Sequence, residues 1–88
     1  MATNTNLVAT QLFPLGGATN DGLKLGWVDS GAKGAQNDTW TITNASAVLF
    51  FAGSLDATGA AEPNTVATNV ITLTGATGTA CSGFVLYK

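Results

Sequence analysis

Asp38-Thr39-Trp40-Thr41-Ile42-Thr43 alternates with a period of two, so an extended chain carries Trp40 and Ile42 on one face and Thr39, Thr41 and Thr43 on the other. Aromatic and β-branched side chains suit a pleated, half-covered backbone, and the segment reads as a strand with one core face. Its threonine face carries no charge and is suited either to water or to a partner.

The same period recurs on both sides of this segment, with no sustained helical stripe to compete with it. Upstream, Leu7 to Phe13 is a first predicted strand, closed by Pro14 and the Gly16-Gly17 pair. Asn20-Asp21-Gly22 supplies residues tolerant of positive φ for a tight turn. Leu23 to Asp29 follows as a second strand, predicted to point Leu23, Leu25 and Trp27 inward and Lys24 outward. Ser30 to Asn37 is small, polar and loop-like. Downstream, Ala47-Val48-Leu49-Phe50-Phe51-Ala52 is apolar on both faces and needs cover from two sides, with Phe50 and Phe51 divided between core and interface. Asp56 to Pro63 reads as a loop and Val66 to Thr74 as one strand. Gly75-Ala76-Thr77-Gly78 reads as a hairpin connection, and Ala80 to Tyr87 as the last strand. Short strands at this spacing predict an all-β domain, a small antiparallel sandwich or barrel of about six strands. The division is a flexible arm over 1–6 and a single β domain over 7–88.

With 88 residues, one core barely outweighs an ordering cost of roughly 1.5 kcal/mol per residue, and small domains close that gap with disulfides, metals or association. Cys81 is the single cysteine and histidine is absent, which removes the intrachain disulfide and the usual zinc constellations. Association is the staple that remains. Charged residues are only 9% of the chain and the net charge is −2, an uncharged surface of the kind that neighbours cover.

Composition also narrows chemistry. Without histidine the common nucleophile–base sites cannot be built, and nothing in the sequence sets a serine beside Lys24 or Lys33. Asp21, Asp29, Asp38, Asp56 and Glu62 all fall in or beside predicted turns, where Asp serves its own backbone. Gly17 to Lys24 lacks the lysine position and the following helix of a phosphate-binding loop. Asn20-Asp21-Gly22 and Asp56-Ala57-Thr58-Gly59 are oxygen-rich but lack the spacing of a calcium loop. Three scattered lysines and no arginine argue against nucleic acid, and no apolar run reaches the ~20 residues of a membrane helix. Met1 to Asn6 lacks a basic, then apolar, secretory pattern, which predicts synthesis in a cytoplasm. The sequence-level expectation is a non-enzyme without cofactor or metal. Cys81 is predicted to be a small buried hydrophobe and Trp27 and Trp40 to be core anchors.

The ending Asn69-Val70-Ile71-Thr72-Leu73-Thr74-Gly75-Ala76-Thr77-Gly78-Thr79-Ala80-Cys81-Ser82-Gly83-Phe84-Val85-Leu86-Tyr87, with the Ala/Thr/Gly/Asn-rich texture and polar N-terminal arm, resembles the small structural proteins of tailed bacteriophages. Within that group the chain most resembles the capsid decoration or cement proteins. The resemblance implies a viral structural protein, a homotrimer on the capsid exterior that binds the major capsid protein and stabilises the shell. Physical reasoning nominates the interface: the threonine face of Thr39, Thr41 and Thr43, Phe50 and Phe51, and an arm carrying Asn4 and Asn6 that pairs with a neighbour's strand edge. The alternatives are a tail, neck or fibre component, or a small carbohydrate- or ion-binding module using Trp27, Trp40 or the Asp-rich turns.

Overall fold

The computed structural model describes residues 4–15, 22–29, 36–75 and 80–88. Met1 to Thr3, most of the 16–22 turn, the loop through Lys33 and the Ala76 to Thr79 connection lie outside the described residues.

The chain is all-β. Among the described residues, nine strands run in the order β1 (Asn4–Leu7), β2 (Thr10–Pro14), β3 (Lys24–Asp29), β4 (Asp38–Ile42), β5 (Val48–Leu55), β6 (Ala61–Glu62), β7 (Asn64–Ala67), β8 (Val70–Leu73) and β9 (Cys81–Tyr87). They form a four-stranded sheet, β1-β4-β8-β7, packed on a five-stranded sheet, β2-β3-β9-β5-β6. Every pairing is antiparallel except β1 with β4. No helix among the described residues is long and apolar enough to cross a membrane.

The alternation of Asp38 to Thr43 is realised as read. Trp40 and Ile42 point between the sheets, beside Ile71 and Leu73 of β8, all essentially excluded from water. From the other sheet Phe51, Val85, Val28 and Tyr87 close the core. Trp40 and Phe51 meet edge-to-face across the two layers at 5.5 Å between centroids, the geometry that matches a ring's positive edge to its partner's negative face. Cys81 is fully buried here.

Strand β5 solves the problem of a run that is apolar on both faces. Strict alternation would put Val48 with Phe50 and Leu49 with Phe51. A bulge between Val48 and Phe50 inserts one residue, so Val48 and Phe51 are both buried while Phe50 points out, 59% exposed. Further along, β5 and β9 approach closely at Gly53 and Gly83, which face each other in register. The Phe51 ring occupies the space a side chain on Gly53 would need, and a Cβ on Gly83 would collide with the Ala52 carbonyl oxygen.

Three sequence expectations change. The predicted Leu7–Phe13 strand is two strands, because the chain leaves the first sheet at Val8-Ala9 and joins the second. Ala9 is buried, and its N–H and C=O are both satisfied by the Asn44 side-chain amide at 2.9 Å, which stands in for a neighbouring strand at the crossing. The predicted Val66–Thr74 strand is a hairpin turning at Thr68-Asn69, with Thr68 at φ 54°. Its Thr68 and Asn69 carbonyls accept from Val48 and Ile42 N–H, which ties the turn to the β4–β5 connection. The Asp56–Pro63 loop contains β6, reached through a turn whose Gly59 has φ 76°.

Candidate functional site

Packing two sheets leaves two outer faces, and cross-strand register assigns each side chain to one of them. On the four-stranded sheet the outward rows are Asn4-Thr39-Thr72-Thr65 and Asn6-Thr41-Val70-Ala67. This face is polar and uncharged. Asn4 Oδ1 accepts from the Thr39 and Thr41 hydroxyls at 2.8 and 2.9 Å, and its Nδ2 donates to Asn6 Oδ1 at 3.2 Å. Thr43, just past β4, donates its hydroxyl to the Leu7 carbonyl.

The five-stranded sheet is different. Its outward rows run Phe13-Leu25-Leu86-Phe50, then Thr10-Trp27-Phe84-Ala52, then Asp29-Ser82-Ser54-Ala61. Two apolar rows are thus followed by a polar one at the end where Asp56 accepts from the Ser82 hydroxyl at 2.7 Å. Phe13, Phe50 and Phe84 are 61%, 59% and 48% exposed. With ~200 Å² per aromatic side chain, these three alone present on the order of 330 Å² of ring to solvent, in the range of the largest patch on a typical monomer. Trp27 and Phe84 stack edge-to-face at 5.1 Å. Beside them a shallow depression of about 470 Å³ extends to β6, lined by Ala52, Gly53, Ser54, Ala61 and Gly83 among others.

The predicted site residues therefore divide three ways. Thr39, Thr41, Asn4 and Asn6 come together on the polar face. Asn4 and Asn6, assigned to a free arm by sequence, are strand residues of β1 paired to β4. Phe50 belongs to the opposite, apolar face, and Phe51 is a core residue at 2% exposure.

The phase of β3 is reversed from the sequence expectation. Lys24, Gly26 and Val28 share the inward side, while Leu25 and Trp27 point out. Lys24 satisfies this position by snorkelling: its Nζ lies over the Tyr87 ring at 5.5 Å and donates to the Gly22 carbonyl at 3.0 Å. Trp40 is the core anchor it was read to be. Trp27 instead belongs to the apolar outer face, which the sequence reading did not assemble. The signal available for it was Gly26, a residue with no side chain to contribute to a core, flanked by Leu25 and Trp27.

Two carboxylates lie inside the fold rather than in solvated turns. Glu62 is 3% exposed and accepts the Gly75 N–H at 2.8 Å, joining β6 to the end of β8. Asp38 is buried at the start of β4. Among the described residues, no three His, Cys, Asp or Glu side chains converge as a metal site would require.

Compared with known proteins, the chain matches no protein family, no curated protein and no solved structure.

Proposed function

We propose that this chain is a structural assembly protein without catalytic activity, a capsid decoration protein made in the host cytoplasm and carried on the outside of a virion. In this reading it associates with copies of itself and with the major capsid protein, and so stabilises the shell. The observation that carries it is the apolar outer face of the five-stranded sheet, where Phe13, Phe50 and Phe84 stand in water on a chain with few charges. A contiguous patch of that kind marks a protein contact. The opposite face, with Asn4, Asn6, Thr39 and Thr41, has the flat, polar, uncharged character that a shell contact calls for.

Co-sedimentation with shells of the major capsid protein from the same particle tests the reading, alongside electron microscopy of the intact particle. Stoichiometric binding to shells supports it, and a protein found only at the tail, neck or fibres moves the assignment there. A protein that ignores every virion component sinks it.

A second reading draws on the exposed Phe84, the half-buried Trp27 that meets it edge-to-face, and the depression beside them, an aromatic-lined surface of the type sugars contact. It requires the Trp27 fluorescence to shift on titration with oligosaccharide. Of the polar groups lining the depression, the Asn64 Nδ2 is already spent on the Phe51 and Glu62 carbonyls.

A further inference from the structure

The assembly reading leaves open how copies meet. We infer that the apolar face of the five-stranded sheet seats a second copy of this chain in a two-fold, face-to-face contact, the Phe13 ring of each copy entering the Trp27–Phe84 depression of the other. The inference rests on the assembly reading and names the partner and geometry of one of its surfaces.

Knob and hole lie on the same face. Phe13 stands at the edge strand β2, in the first outward row, and is the most exposed aromatic residue there at 61%. The depression runs from Trp27 of β3 and Phe84 of β9 across β5 to β6, and so extends toward the opposite corner. A two-fold axis in the plane of contact exchanges any two points placed symmetrically about it. Set midway between Phe13 and the depression, one axis therefore seats both rings at once. Because the two features lie at opposite corners, that axis passes over the middle of the face, near Leu25, Trp27, Phe84 and Leu86, and the two sheets overlap over most of their area.

Area and charge agree. The exposed parts of Phe13, Phe50 and Phe84 from two copies amount to roughly 650 Å² at ~200 Å² per ring. The remaining face adds exposed Ala52 and the partly exposed Leu25, Trp27, Leu86 and Ser54, toward the ~1,000 Å² that a specific interface needs. Among the described residues, the three outward rows contain one charged side chain, Asp29, in the polar end row, and the depression's lining adds Glu62, which is 3% exposed and accepts the Gly75 N–H. Pairing therefore buries no opposed like charges at its centre, and a copy carrying only −2 repels its twin weakly. A self-complementary patch closes at two copies. The trimer implied by the phage resemblance needs two different patches per copy, and this face supplies both halves of its own contact.

Light scattering on a sizing column, followed by sedimentation equilibrium, tests the pairing in the full chain and in Phe13→Gln and Phe84→Gln, with Thr65→Gln on the opposite face as control. Both phenylalanines are solvent-facing in one copy, so circular dichroism of the variants matches the parent. The expected result is a dimer that Thr65→Gln preserves and either phenylalanine change dissociates. Each change removes an aromatic contact from both halves of the pairing, and loss of an aromatic anchor weakens binding by about tenfold or more, so Kd rises by at least about a hundredfold. A parent that stays monomeric overturns the pairing, as does a trimer or open chain, or a dimer indifferent to both variants. Shell co-sedimentation run on the monomeric Phe13→Gln variant separates the two claims. Binding there keeps the decoration reading whatever happens to the dimer.

Discussion

Replacing Gly83 by alanine adds one methyl group at the tightest point of the fold. The new Cβ would collide with the Ala52 carbonyl oxygen and stand 2.5 Å from Gly53 Cα, where ordinary contact needs 3.4–4 Å. Both obstacles are backbone, so no rotamer change relieves them. Strands β5 and β9 must separate by about 1 Å in the middle of a ladder that runs from Val48–Tyr87 to Leu55–Cys81, in a core packed too densely to absorb the shift. Overpacking of this kind costs about 1–3 kcal/mol, and two neighbouring ladder hydrogen bonds lost or stretched add about 1 kcal/mol each. The expected loss is about 3–5 kcal/mol, against a total of roughly 4–13 kcal/mol for a domain of this size. Thermal melting followed by circular dichroism should show Tm falling by roughly 15–30 °C. Gly59→Ala calibrates the result, because its Cβ meets nothing within 4 Å and its cost comes only from φ 76°, about 1–2 kcal/mol. If Gly83→Ala is milder than Gly59→Ala, the close approach of β5 and β9 is refuted.

Other perturbations probe the remaining joints. Asn44→Ala removes both hydrogen bonds to the Ala9 backbone and should cost about 2–3 kcal/mol in urea unfolding; a change under ~0.5 kcal/mol would mean the sheet crossing does not depend on it. Thr68→Gly relieves a β-branched residue held at φ 54° and should raise stability by about 0.5–1 kcal/mol, the left-handed penalty less glycine's own entropy cost. Burial raises the pKa of Tyr87, the single tyrosine of the chain. The unfolded chain therefore ionises first, so the Tyr87 contribution is complete below pH ~10 and is lost as pH rises through the folded-state value. The difference in unfolding free energy between the parent and Tyr87→Phe, measured across that range, should shrink for the parent at alkaline pH. A constant difference would show that the phenol is not shielded.

What local sequence determined is the class of fold and much of its core. Alternation is a property of neighbours in the chain, so Trp40 and Ile42 inside, the threonines outside, and Phe50 parted from Phe51 were all legible from 38–52 alone. The lack of histidine and the single cysteine bound the chemistry from composition alone. Of the nominated surface, the threonine side of β4 was legible in its alternation, but that Asn4 and Asn6 lie beside it on β1, paired to β4, was not, and the apolar face across the molecule was missed. Tertiary structure decided what depends on a distant strand. By hydropathy, Leu25 and Trp27 belong inside and Lys24 outside. The register of β3 on β9 instead turns Gly26 toward the Tyr87 ring, which lies where a side chain on Gly26 would need to be, and small residues must face the space that large ones from another strand fill. The crossing at Ala9 depends on Asn44, 35 residues away, and the turn at Thr68-Asn69 interrupts an alternation that continues through it. The apolar outer face, and with it the proposed pairing of two copies, exists only because that register sends Trp27 and Leu25 outward to join Phe13, Phe84, Leu86 and Phe50.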